Sequence, residues 1–154
     1  MKILIINGPN LNLLGRRNTE HYGNRSFIDY LEELRHTFPE LQLEYFQSNH
    51  EGDLIDFLQA VSSSATGIVI NGGGLSHTSV CLADALADTG LPAVEVHISN
   101  VYAREGFRHH SFLKEVCIHQ IAGEGLEGYK KALQLLLNGN FSPDGTNFPE
   151  GEND

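Results

Sequence analysis

Tryptophan is absent from the 154-residue chain, methionine occurs once, and cysteine occurs only twice, at Cys81 and Cys117. Two distant cysteines without CxxC spacing or a secretory context support neither a disulfide framework nor a zinc site, and they read as buried thiols. Basic residues are scarce too: 10 Lys plus Arg stand against 20 Asp plus Glu, a formal charge of −10. Such a chain repels nucleic acid and anionic membrane unless its few cations cluster, so neither is an expected partner. Long hydrophobic runs are also missing. The first, residues 3–6 (ILII), stops at Asn7, too short for a signal h-region, and no later stretch approaches the roughly 20 apolar residues that span a bilayer. A cytoplasmic protein is expected. Five prolines, with 40% apolar and 19% charged residues, exclude collagen, coiled-coil and disordered compositions and leave an ordinary globular domain.

What is present is an alternation of short apolar runs with amphipathic stretches. Residues 3–6, 43–46, 68–70, 93–98 and 116–121 read as five strands, several apolar on both faces. Between them lie helical patterns: Ser26 as N-cap before Ile28, Leu31 and Leu34; then Leu54, Phe57, Leu58 and Val61; then Val80, Ala83 and Leu86; and last Leu126, Tyr129, Leu133 and Leu136. Strand and helix in turn, with strands buried on both sides, predict an α/β domain over residues 1–138. Its core is a doubly wound parallel sheet with helices on each face, and five strands suggest the flavodoxin-like order 2-1-3-4-5. Ligands of such sheets bind beyond the carboxyl ends of the strands, near the switch between the first and third. Residues 139–154 lack any apolar period, carry Asp144, Glu150, Glu152 and Asp154 without a basic residue, and read as a disordered acidic tail.

The predicted strand ends are chemically unusual. Strand one runs into Asn7-Gly8-Pro9-Asn10, strand three into Asn71-Gly72-Gly73-Gly74, and strand four carries Glu95, His97, Ile98, Ser99 and Asn100. Asn and Gly are common turn residues, but three strand ends gather amides, an imidazole and a hydroxyl on one edge. Glu95 and His97, two apart on a strand, leave the same face. The carboxylate can therefore accept from one imidazole nitrogen and tune the other as an acid or base, or the two can form a structural ion pair. Between strand one and the first helix, residues 15–23 form a polar, Gly-bounded segment that reads as a lid carrying Arg17 and Tyr22. A tyrosine serves as a base near neutral pH only where cations stabilise its phenolate, and arginine stands nearby.

Other signals fail. Gly8 and Gly15 are too far apart for a P-loop and no Lys-Ser/Thr follows, while the triglycine at 72–74 has His77 where a dinucleotide loop needs its third glycine. The triglycine still suits close approach of an anion to backbone N–H groups at a helix N-terminus. Eight histidines include no metal-binding spacing, and the adjacent His109 and His110 point apart, so no metal is expected. A flavodoxin-like module that holds a flavin or nucleotide without chemistry is the alternative to an enzyme.

The motifs GPNLNLLGRR from Gly8, QSNHEGDLID from Gln47, NGGGLSHTS from Asn71, EVHISN from Glu95 and AREGFRHHS from Ala103 together resemble the type II 3-dehydroquinate dehydratase family over about residues 2–138. The resemblance implies a shikimate-pathway lyase without cofactor or metal. It dehydrates 3-dehydroquinate to 3-dehydroshikimate by anti elimination through an enolate, in a dodecamer built as a tetramer of trimers. It implies Tyr22 as the base, Arg17 holding its phenolate, Asn10 holding the water that stabilises the enolate oxygen, and His97 as the general acid oriented by Glu95. Asn71, the Ile98 N–H and Ser99 are implied to fix the substrate's carboxylate and ring, and His77 and Arg108 its hydroxyls. The resemblance also implies that Arg104 supports the charge around the tyrosine and that Asp84 reaches a neighbouring subunit's site. Local arginines then outweigh a screened global charge that disfavours an anionic substrate. Gly72, where many members carry proline, is expected to loosen the loop bearing Asn71, and Gly106, where a second Glu is common, to alter subunit contacts.

Overall fold

A computed structural model describes residues 1–16 and 24–139. Strand β1 (Lys2–Asn7) is followed by helix α1 (Phe27–Thr37), β2 (Gln42–Gln47), α2 (Glu51–Val61), β3 (Gly67–Asn71) and α3 (Val80–Asp88). The chain continues through β4 (Ala93–His97), three 3-10 turns, β5 (His119–Ala122) and α4 (Glu127–Asn138). The strands form one sheet in the order β2-β1-β3-β4-β5, and every pairing is parallel. This is the doubly wound order read from the chain.

Alternation along the strands divides the core in two. Ile3, Ile5, Val69, Val94 and Val96 pack with Tyr30, Leu34, Tyr129 and Leu133 of α1 and α4. Leu4, Ile6, Ile68, Ile70 and Ala93 pack with Leu54, Leu58, Leu82 and Leu86 of α2 and α3. Each buried Ile, Leu or Val side chain contributes about 1.5–3 kcal/mol relative to exposure, so both faces must be covered. Ser26 caps α1 by accepting from Asp29 N at 3.2 Å, as its position predicts.

Four local expectations are corrected. The fifth strand covers His119–Ala122 rather than 116–121: residues Lys114–Val116 form a 3-10 turn. The chain first joins β4 where Ile118 N donates to Ala93 O at 2.9 Å, and Val116 and Cys117 are apolar because they pack on the core, not because they pair. Strand β4 ends at His97, one residue early, because its last ladder partner is Ala122. Cys81 is exposed on α3, whereas Cys117 is partly buried, where burial and then the charge of Glu95 push its thiol up. The triglycine does not open an α-helix: Gly73–His77 form a 3-10 turn, and α3 starts at Val80 under a Ser79 cap. Gly72 is closely packed: a Cβ there would stand 2.6 Å from Ser76 Oγ and 2.7 Å from Leu113 Cδ1.

Glycine is instead required by the approach of two strand-end loops. A Cβ on Gly8 would meet Gly72 O at 2.4 Å, and one on Gly73, at φ +57, would meet Pro9 O at 2.9 Å. Both figures are below any tolerated contact, and Gly8 N donates to Asn71 O at 2.8 Å across the same gap.

Candidate active site

The ends of β1, β3 and β4 surround a cleft of about 180 Å³ lined by Asn10, Asn71, His77, His97, Ile98, Ser99, Arg104 and Arg108, with Pro9, Leu11, Leu13, Leu14, Gly73, Gly74 and Val101 completing the wall. It opens at the switch point between β1 and β3, where the strand order locates it. Eight of the residues singled out from the sequence therefore meet in one place: Asn10, Asn71, His77, His97, Ile98, Ser99, Arg104 and Arg108. Glu95 lies behind His97 and does not line the cleft. Asp84 is exposed on α3, away from this wall. Arg17 and Tyr22 lie outside the described residues, as does the tail beyond Gly139.

Asn10 sits in the left-handed region at φ 71, the one non-glycine residue to do so among those described. Its N–H donates to Asn49 Oδ1 at 2.9 Å, and Gln47 Nε2 reaches both Gly8 O and Asn49 Oδ1 at 3.2 Å. The loop after β2 thus holds the loop after β1 and turns Asn10 to the mouth of the cleft. Asn tolerates this backbone better than most side chains.

Glu95 is fully buried, yet its carboxyl is held below the usual range. Burial opposes ionisation, and donors outweigh it: His97 Nε2 at 2.7 Å and Ser111 Oγ at 2.5 Å on Oε1, and Gln120 Nε2 at 2.9 Å on Oε2. An ionised carboxylate only accepts, so His97 Nε2 carries the hydrogen and Nδ1 is the nitrogen free to exchange a proton. The His77 ring lies parallel to that of His97, centroids 5.7 Å apart. Its Nδ1 donates to His110 O at 2.7 Å. Burial, followed by the charges of His97 and Arg108, holds its pKa below the ordinary histidine value despite that bond, which leaves a neutral ring with Nε2 as an acceptor.

Asn71 is fixed from the other face of the sheet. Its Oδ1 accepts from Gly73 N at 3.1 Å and its Nδ2 donates to Tyr129 OH at 3.0 Å; that hydroxyl donates to Asn7 Oδ1 at 2.7 Å. Arg108 Nε pairs with Glu105 at 2.8 Å, and Arg104 Nη1 donates to Ser99 Oγ at 3.3 Å, placing two guanidinium groups on one wall. Among the described residues, no three His, Cys, Asp or Glu side chains are grouped to hold a metal ion, and no helix is long and apolar enough to cross a membrane.

Sequence reasoning missed Ser111, Gln120 and Tyr129. Tyr129 read as one more apolar position of the last helix, and Ser111 as the end of a loop motif; only the pairing of β4 with β5 puts Gln120 beside Glu95.

A doubly wound sheet with an imidazole–carboxylate pair and guanidinium groups at its switch point defines a small-molecule site of the kind enzymes build. Residues 1–137 match the family Dehydroquinase class II, and the chain belongs to that family. It is 49% identical over 139 residues to the 3-dehydroquinate dehydratase of Halothermothrix orenii, covering 89% of this chain and 94% of that one. It is 52% identical over 137 residues to the enzyme of the same name from Bacillus pumilus, covering 87% and 92%. The crystal structure of type II dehydroquinase from Butyrivibrio crossotus superposes with a TM-score of 0.85 at 45% identity, covering 90% and 98%.

Proposed function

We propose that the chain is a 3-dehydroquinate dehydratase, a hydro-lyase of the shikimate pathway that removes water from 3-dehydroquinate to give 3-dehydroshikimate. The observation that carries this reading is the Glu95–His97 pair behind a cleft in which Asn10, Asn71, Ser99 and Arg108 also meet. A proton α to a ketone is weakly acidic and hydroxide leaves poorly, so the reaction needs a base, a stabilised enolate and an acid.

Tyr22, held as phenolate by Arg17, takes the α-proton, and the C–H electron pair moves into the enolate. A water held by Asn10 hydrogen-bonds the developing oxyanion. The enolate then re-forms the carbonyl as the new C=C bond expels the hydroxyl, which leaves as water with a proton from His97 Nδ1. Because Nε2 keeps its hydrogen on Glu95, His97 emerges as the neutral tautomer already matched to the carboxylate. Asn71, the Ile98 N–H and Ser99 hold the substrate's carboxylate and ring; His77 and Arg108 hold its hydroxyls, and Arg104 balances charge near the tyrosine. Asp84 serves a neighbouring subunit's site in a dodecamer of four trimers, and residues 139–154 are an appended acidic tail on a cytoplasmic enzyme.

The test is to add 3-dehydroquinate to metal-chelated protein and follow the ultraviolet absorbance of the conjugated enone, with Tyr22→Phe alongside. The parent is expected to turn over, and the variant to lose about 10²–10⁴-fold in rate, the usual worth of a positioned base, with its fold intact. A variant running at the parent rate reassigns the base. Sedimentation of the active protein as a stable monomer removes the dodecamer.

A further inference from the structure

We propose that Ser111 and Gln120 are positioning residues for His97: the two side chains clamp the Glu95 carboxylate from both oxygens and so set the pH range in which His97 can give up a proton. The inference rests on His97 being the general acid.

Each clamp is oriented by a second bond. Ser111 Oγ accepts from Lys114 N at 3.2 Å, so its hydroxyl proton is directed to Glu95 Oε1. Gln120 Oε1 accepts from Tyr102 OH, so its NH₂ faces Glu95 Oε2. Ser111 is buried in the loop before β5, and Gln120 lies opposite Glu95 in the ladder between β4 and β5. The carboxylate therefore cannot rotate without breaking three hydrogen bonds, those from Ser111, Gln120 and His97 Nε2. Neither clamp lines the cleft, so both act through Glu95 rather than on substrate.

The sign of their effect follows from charge. With His97 protonated, the pair is neutral overall; once the proton leaves, Glu95 carries an uncompensated charge, and its donors stabilise that state most. Removing a donor raises the proton affinity of the pair and moves the alkaline limb of turnover to higher pH. The other titratable groups around the pair are His77 and Arg108 on the cleft side, Arg104 beside Ser99, the Cys117 thiol on the β5 side and Tyr102 behind Gln120. Lys114 lies over the Tyr102 ring; Gln120→Leu also releases the Tyr102 hydroxyl, whereas Ser111→Ala leaves it on Gln120, so a shift shared by both variants is due to Glu95.

The experiment measures kcat and KM against pH for the parent, Ser111→Ala, Gln120→Leu and His97→Ala, with an NMR titration of the His97 ring in the first three. In both clamp variants the alkaline limb and the ring titration should move upward together by roughly 0.5–1 pH unit, a part of the worth of one hydrogen bond to a carboxylate, because the bond acts in both protonation states of His97. kcat should fall several-fold at neutral pH with KM near the parent's. A purely structural role would lower thermal stability or both constants without moving either curve, and superimposable profiles overturn the proposal. Gln120→Leu carries the test if Ser111→Ala does not fold. If His97→Ala keeps parent turnover, the general-acid assignment fails first; if it loses turnover while the clamp variants titrate like the parent, only the clamp is wrong.

Discussion

Two polar clusters lie beneath the cleft, one on each face of the sheet, and they solve the burial of polar groups in opposite ways. On the α1–α4 face, Asn7, Asn71, Tyr129 and Tyr45 form a neutral chain: Tyr129 OH bridges the two amides, and Asn7 Nδ2 reaches Tyr45 OH at 3.4 Å. On the α2–α3 face, Glu95 gathers three donors around a charge. Burial pushes the Tyr129 hydroxyl far up despite its bonds to Asn71 and Asn7, so that cluster does not titrate in the working range. The same burial is overcome at Glu95, whose carboxyl stays ionised. The neutral cluster holds a strand end in shape, and the charged one stores a proton donor.

The largest break in this comparison is to remove the charge. Glu95→Gln turns one acceptor into an NH₂ that must confront His97, Ser111 or Gln120, all of them donors toward this position. Turnover should fall about 100-fold, within the range of lost acid–base function, while KM moves little. Stability at low pH adds a second reading. The folded carboxyl of Glu95 is depressed, so its contribution is present above the unfolded value of about 4.3 and is lost as pH falls through the folded value. Acid melts should show a steeper loss for the parent than for Glu95→Gln; parallel slopes would show that the carboxyl is not depressed.

Next in size is Tyr129→Phe, which deletes the bridge of the neutral cluster and leaves two buried amides short of a partner. The cost should be about 1–3 kcal/mol in chemical denaturation for each of the two groups left unsatisfied. Its pH profile should superimpose on the parent's, because nothing charged has changed. A shifted profile would mean that the two clusters are coupled through the sheet.

The two clusters were unequally legible in the sequence. The i, i+2 spacing of Glu95 and His97 fixes a shared face once a strand is recognised, and alternating apolar runs gave the sheet order, so half of the charged cluster and its place in the fold could be read directly. Ser111 could not, because it returns to Glu95 through a loop of 3-10 turns that has no period. Gln120 needed the register of a strand whose apparent start, at 116, came from core packing rather than pairing. The neutral cluster was hidden more deeply: Asn7 and Asn71 looked like turn formers, and Tyr129 satisfied the apolar helix pattern while its hydroxyl reached across to residues 58 and 122 positions away. Periodicity reports which side chains are buried, not which polar atom at the tip finds a partner.

The smallest effect is expected at the rim of the neutral cluster. Tyr45 is only half-buried, and burial raises its pKa although Asn7 donates to its hydroxyl. At 3.4 Å that bond is long, and Phe27 stacks on the Tyr45 ring with centroids 4.9 Å apart. Tyr45→Phe keeps the stacking and removes only this long, weak bond from Asn7 Nδ2. The change should stay within about 0.5 kcal/mol, with turnover and pH profile unaltered. A loss as large as that of Tyr129→Phe would mean that the chain of amides and phenols is cooperative to its rim, and that the neutral cluster, like the charged one, works as a single unit rather than through one central bridge.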